Sequence, residues 1–324
     1  MISKKKKDTI LKKFWKDNNH FADLFNTVLF HGKQVIVPEE LVEKDSDVSS
    51  FLNMKNYSET LERYRDVVKK SQNGIEYAVY GVENQMSVHY AMPLRNMVYD
   101  ALEYLKEYEE LAHQNKEKKN LKDSAEFLSG LKKTDRLHPV ITLVIYYGEE
   151  SWDGPLSLCD MLQIPEHLRG LVSDYQMHLL QIADTEKYQF QNENVQTVFE
   201  VSRNILQKNF DEIEKKYGNR WIAPLVGACI GAITNYEQII RAAGQERGET
   251  NMCRALEELK EEYRIKGREE GREEGREEER AGIIGTMLKN GMTAEVLAGY
   301  AGIALEEVLR IQENMTEKPQ IISA

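Results

Sequence analysis

Cysteine is scarce in this 324-residue sequence, and the three present, Cys159, Cys229 and Cys253, lie far apart with no CxxC and no Cys/His pairing. This excludes a disulfide framework and a cysteine zinc site and fits a reducing compartment. Positive charge is also in deficit, with 43 basic against 54 acidic side chains and a net charge of −11. A general polyanion binder would not be built this way, so any nucleic-acid contact has to use local basic patches. Long apolar runs are missing too. The longest, "WIAPLVGACIGAIT" at residues 221–234, contains a proline and is too short to span a bilayer, so it reads as a buried helix. The basic start "MISKKKKDTILKKF" is followed by no apolar h-region, so it does not read as a signal peptide. No P-loop, GxSxG or HExxH is present. The expectation is a cytoplasmic protein with no membrane association.

What is there suffices for a sizeable core, at 41% hydrophobic residues. Residues 9–30 carry Ile10, Phe14, Phe21, Leu24, Phe25 and Val28 at helical spacing. "KQVIVPEEL" reads as a short strand ended by Pro38. Residues 91–113 return to helical periodicity, with Pro93 suited to a first turn, and residues 114–136 read as a lysine-rich loop or mobile helix. "HPVITLVIYYG" is a continuous apolar run of strand length, which predicts a strand buried on both faces, and His138 at its start reads as structural. Residues 161–254 look mostly helical.

Further on, "GREEGREEGREEER" lacks an apolar seam and reads as a solvated helical spacer or semi-disordered linker. The last stretch predicts three short helices punctuated by Gly291 and Gly302, with Thr293 as a cap. Its would-be recognition helix carries Glu306 and Glu307, which phosphate repels. That favours a helical oligomerisation or protein-contact module over a DNA reader.

The stretch "RYRDVVKKSQNGIEYAVYGVENQ" is the most informative. Asn-Gly between two extended runs predicts a hairpin. With Asn73 and Gly74 as a two-residue turn, Gln72 pairs with Ile75, Asp66 lies opposite Gly81 and Glu83 opposite Tyr64. Asp66, Glu83 and Gln85 then share one face, with the two carboxylates roughly 7–8 Å apart at the backbone. Such a pair can bracket one hard cation, and Gln85 can orient a water or contact a phosphate. A register shifted by one residue would separate the carboxylates. The alternative is ordinary surface chemistry, with Asp66 paired to Arg63 or Arg65 and Glu83 capping the next loop.

The ordered elements "HFADLFNTVLF", "RYRDVV", "YGVENQMS", "MPLRNMVYDALEY" and "HPVITLVIYYGEESW" resemble the recombination-promoting nuclease and putative transposase family, within the PD-(D/E)XK nuclease superfamily. The resemblance covers roughly residues 8–160. It implies an α/β fold with a central mixed sheet flanked by helices, and metal-dependent DNA endonuclease activity linked to mobile elements or recombination. Asp66 and Glu83 match the metal ligands, for Mg²⁺ or Mn²⁺. Gln85 stands where most superfamily members have lysine, and Asp23 matches an auxiliary acidic position. The expected organisation is a nuclease-like domain at 1–160, a helical extension at 161–254, a charged helical linker at 255–280 and a helix-turn-helix-like module at 281–324. Expected partners are DNA, through Lys4 to Lys7, Lys69, Lys70 and Arg95, and a second copy through the C-terminal helices. The competing reading is a catalytically weak or inactive DNA- or protein-binding module on the same scaffold.

Overall fold

The apolar run before Gly148 forms the strand around which the protein is built. The computed structural model describes residues 4–44, 67–71, 74–82, 88–218, 220–240 and 250–316. Strand β4 (Val140–Tyr146) is buried from Thr142 onward. It pairs in parallel with β3 (Glu76–Val82), from Glu76 opposite Val140 to Val82 opposite Tyr146. On its other side it pairs in parallel with β5 (His178–Gln181). Strands β2 (Val67–Lys70) and β1 (Val42–Lys44) extend the sheet in antiparallel fashion, giving the order β1-β2-β3-β4-β5. The fold is mixed α/β and mostly helical.

A parallel pair needs a crossover, and helix α3 (Met92–Glu117) supplies it. It lies on the face formed by the even-numbered residues of β4. Asp100 accepts hydrogen bonds from the Thr142 hydroxyl at 2.6 Å and from the Tyr175 hydroxyl. Glu103 pairs with Lys44 at 3.0 Å. Met92 packs on Val144 and Tyr146. Toward the other face lie α1 (Lys4–Trp15) and α2 (Asn18–Val28), with α5 (Glu193–Leu206) packed on α2 and α7 (Pro224–Thr234) packed on α1 and α5. There the Trp15 indole donates to the Tyr147 hydroxyl at 3.2 Å, and Trp15 also meets Phe199. Of the run at 221–234, residues 224–234 form a mostly buried helix with Pro224 in its first turn, while Trp221 and Ile222 before it are extended.

Several elements differ from the sequence expectation, each for a local reason. The helix at 9–30 is two helices, broken where Asp17 caps α2 by accepting from the Asn19 and His20 backbone. Residues 34–37 are not a strand. The Asn26 side chain accepts from the Val35 and Ile36 amides and donates to the Ile36 carbonyl, taking the bonds a strand partner would have used. Residues 161–192 are short 3₁₀ turns and loop with β5 among them rather than helix. Helices α4 (Ser124–Ser129) and α6 (Phe210–Tyr217) are short additions to this unit, as is a two-stranded ribbon of β6 (Trp221–Ile222) and β7 (Thr250–Asn251).

The hairpin is present, but its register is shifted by one. Val67 lies opposite Val79 and Lys70 opposite Glu76. The Ser71 amide bonds the Ile75 carbonyl at 2.9 Å, so three residues, not two, lie in the loop. Gly74 takes φ +89°, and a Cβ there would sit 2.2 Å from the His138 ring. His138 itself is fixed by Glu107, which accepts from its amide at 2.9 Å and from its ring. Packing from the start of β4 therefore decides the loop.

The chain divides into two compact units, Met1–Leu256 and Glu257–Ala324. The second contains most of α8 (Met252–Lys289), which carries the Gly-Arg-Glu-Glu repeat, and then α9 (Ala294–Ala301) and α10 (Leu305–Thr316). Ile284, Ala294, Leu297 and Val308 form its small core. Gly291 and Gly302 take positive φ at the two breaks, as the sequence pattern predicts, and Thr293 occupies the N-cap position of α9 without a side-chain cap hydrogen bond.

Lys69 is fully buried in β2. Its ammonium donates to the Lys16 carbonyl at 2.6 Å and to the Asn18 side chain, and lies 5.1 Å from the Phe21 ring centre. It thus ties the α1–α2 turn to the sheet. Burial lowers its pKa to about 8, despite the nearby Glu43 and Asp17 carboxylates. Below that pH the lysine is charged in both folded and unfolded protein, and the whole cost of burying the charge is present. Between about pH 8 and 10.5 the unfolded chain holds the proton that the folded chain has released. Stability should therefore rise with pH across that window. Urea unfolding at several pH values should show this rise in the wild type and its loss in Lys69→Met.

Candidate active site

Antiparallel pairing makes β2 begin where β3 ends. Val67 lies opposite Val79, and Val82, three residues further along β3, lies opposite Tyr146 at the end of β4. The start of β2 and the carboxyl ends of β3, β4 and β5 thus share one edge of the sheet. Asp66 directly precedes Val67, and Glu83 directly follows Val82. Asp66, Glu83 and Gln85 themselves lie outside the described residues. The face shared by the two carboxylates was expected from a two-residue turn; with three residues in the loop the register is shifted by one and that expectation no longer holds. What the fold supplies instead is a common edge.

The described side chains at this edge form a defined surface. Val88 and Trp152 pack on Met92, Val144 and Tyr146. The Trp152 ring meets Tyr146 edge-on at 5.2 Å, its indole donates to the Gly154 carbonyl at 2.9 Å, and its amide donates to the Gln181 side chain at 2.7 Å. A Cβ at Gly154 would lie 2.5 Å from Val88, so the Trp152 loop and the segment after β3 close on one another. Arg95 donates to His89 Nε2 at 2.8 Å. Burial and the adjacent guanidinium hold the His89 pKa below its ordinary value. The imidazole is therefore neutral at pH 7, with its proton on Nδ1, which is buried and has no hydrogen-bond partner among the described residues. Asp153 accepts from Tyr90 at 3.3 Å, and Glu149 and Glu150 are exposed beside it. Burial, then the Asp153 and Glu150 charges, raises the Tyr146 pKa. The edge thus combines carboxylates, one guanidinium and a neutral imidazole. Of these, the sequence reading singled out Arg95 alone. His89 had no motif to mark it, although its position between the acidic motif and the next helix was a signal.

Asp23 is buried on α2. Its two oxygens accept the Gln191 and Asn192 amides, each at 3.0 Å, and Oδ1 also accepts from Thr27 at 3.3 Å. Asn192 in turn caps α5. The carboxylate thus fixes the start of α5 against α2, a contact between residues 168 positions apart. Two of the expected phosphate contacts are also otherwise engaged. Lys69 is buried as described, and Lys7 is buried and donates to Asn235. Among the described residues, no group of three His, Cys, Asp or Glu side chains is placed to hold a metal ion.

A mixed sheet whose hairpin is followed by a crossover helix and parallel strands, with polar groups gathered at the carboxyl edge, defines an α/β protein whose candidate site is that edge. Residues 5–222 match the model of a family described as putative transposase, YhgA-like, and the chain belongs to that family. No curated protein and no solved structure matches it. Among the described residues, no helix is long and apolar enough to cross a membrane.

Replacing Asp23 leaves the part-buried amides of Gln191 and Asn192 without their acceptor. Asp23→Ala should cost about 2 kcal/mol or more in urea unfolding, while Thr27→Val, which removes only one donor, should cost less.

Proposed function

We propose that this protein is a metal-dependent DNA endonuclease of the PD-(D/E)XK type, acting in the context of mobile elements. Membership of a transposase-like family supports the association with DNA and mobile elements. The observation that carries the catalytic reading is the shared edge. Val67 and Val82, the covalent neighbours of Asp66 and Glu83, stand at the same end of the sheet, where β2 begins and β3 finishes. A site assembled from a hairpin and the carboxyl end of a parallel strand has this layout.

In this reading Asp66 and Glu83 hold Mg²⁺ or Mn²⁺, whose hard charge suits two carboxylates and several waters. When bound, the ion neutralises charge on the scissile phosphate and makes a water more acidic. Gln85 lacks a charge, so it orients water or phosphate by hydrogen bonding. Arg95, at the same edge, supplies the positive charge that a lysine at position 85 would have given. It also donates to His89 Nε2, so the imidazole's proton faces away from the guanidinium. The auxiliary position Asp23 acts through structure, by fixing the start of α5. Glu149, Glu150 and Asp153 add negative potential that draws a cation to the edge and keeps phosphate away without one.

Supercoiled plasmid incubated with the full-length protein and Mg²⁺ or Mn²⁺ tests this directly. Nicking or linearisation that EDTA abolishes and that Glu83→Ala lowers by about a hundredfold or more is the expected outcome. Absence of cleavage by folded wild type with either metal would instead support the non-catalytic binding module on the same scaffold.

A further inference from the structure

The acidic balance of the chain leaves open which surface meets a polyanion, and the burial of Lys7 and Lys69 sharpens the question. The far end of α3 answers it. Helix α4 folds back onto α3 and encloses a groove of about 700 Å³, lined by Tyr108, His113, Lys116, Lys119, Phe127 and Leu128 among others. Its apolar floor is unusually open, with Phe127 67% and Leu128 90% exposed. The groove is also firmly built. The Tyr108 hydroxyl donates to the Ser129 carbonyl at 2.9 Å. Buried Asn115 donates to the Gly130 carbonyl at 3.0 Å and to Asp135 at 2.7 Å. Gly130 takes φ +73°, and a Cβ there would lie 2.8 Å from the Ala112 Cβ.

Lys116 and Lys119 line the groove and, among the described residues, no carboxylate does, while Glu117 beside it lies 3.7 Å from His113. The carboxylates of Asp123, Glu126 and Asp135 are occupied by backbone amides, those of Ala125 and Glu126, of Lys122 and Lys133, and of Lys132 respectively. The exposed Lys116, Lys118, Lys119, Lys122 and Lys133 form no ion pair among the described residues. A rim of uncommitted ammonium groups around an exposed aromatic floor suits a ligand with phosphates along its edge and flat apolar faces within.

We propose that this groove binds single-stranded DNA, with Phe127 stacking on a base and Lys116 and Lys119 contacting the flanking phosphates. It is an exosite. The groove is lined by α3 residues from Tyr108 to Lys116, and at about 1.5 Å per residue these lie roughly 25–35 Å along the helix from the sheet edge where α3 begins. Binding here does not depend on cleavage.

The test uses full-length Glu83→Ala protein in EDTA, so that no hydrolysis intervenes, and fluorescence anisotropy of a labelled oligo-dT. Oligo-dT should bind more tightly than a duplex of the same length. Phe127→Ala should weaken oligo-dT binding roughly tenfold. Lys116→Glu with Lys119→Glu should weaken it further and lower the salt slope by about one per lysine removed. Lys215→Glu on α6 serves as a control and should change nothing. Circular dichroism melts check that these surface variants stay folded. Equal binding by all variants, loss with the lysines but not with Phe127→Ala, or binding to anionic phosphatidylglycerol vesicles in place of oligo-dT would each overturn the proposal. Failure of the plasmid assay would leave it standing.

Discussion

The parallel pairing of β3 with β4 is the constraint on which the rest of this structure depends. Seven consecutive residues of β3 face seven of β4, and two parallel neighbours cannot be joined by a turn. The chain must leave β3 at one edge, cross the sheet as α3 and return at the other. Everything described at the carboxyl edge follows. β3 and β4 end together, β5 adds in the same direction, and the antiparallel β2 starts there. An edge where backbone ladders stop offers free polar groups and converging loops, and sites gather in such places.

Side chain to backbone hydrogen bonds hold the helical layers to this sheet. Lys69 holds the α1–α2 turn, Asp23 the start of α5, Asn26 the segment before β1, and Glu107 the start of β4 through His138. Each joins an element to a loop that could not otherwise satisfy its amides or carbonyls once buried. Burial of Lys69 costs desolvation, which its two hydrogen bonds and the neighbouring carboxylates offset only in part. An acid-rich composition thus serves structure first: Asp23, Asp123, Glu126 and Asp135 are all committed to backbone amides.

The strand at Val140–Tyr146, the crossover helix after Pro93 and the buried helix at Pro224 were legible because burial on every side leaves an unbroken apolar run or a strict period. The hairpin was legible in kind but not in register. Asn73-Gly74 announces a turn, but the number of loop residues is set by Gly74 packing under His138, a contact across 64 positions that no local pattern records. Strand β5 was missed because "HLLQ" is short and half-buried at the end of the sheet. Lys69 looked like a surface lysine because its neighbours Lys70 and Ser71 are polar; only the fold places the α1–α2 turn above it. For the candidate site, the resemblance proposed the sequence positions, and the topology brings the flanks of Asp66 and Glu83, Val67 and Val82, to one edge. The His89–Arg95 pair and the Trp152 loop are products of tertiary structure.

The central claim is that the convergent edge makes Asp66 and Glu83 one metal site. Calorimetric titration of Mn²⁺ into the full-length protein tests it without any assay of activity. The account predicts one Mn²⁺ site in the wild type, weakened at least about tenfold in both Asp66→Ala and Glu83→Ala. Equal Mn²⁺ binding by all three proteins, or a site lost in one variant and intact in the other, would contradict it.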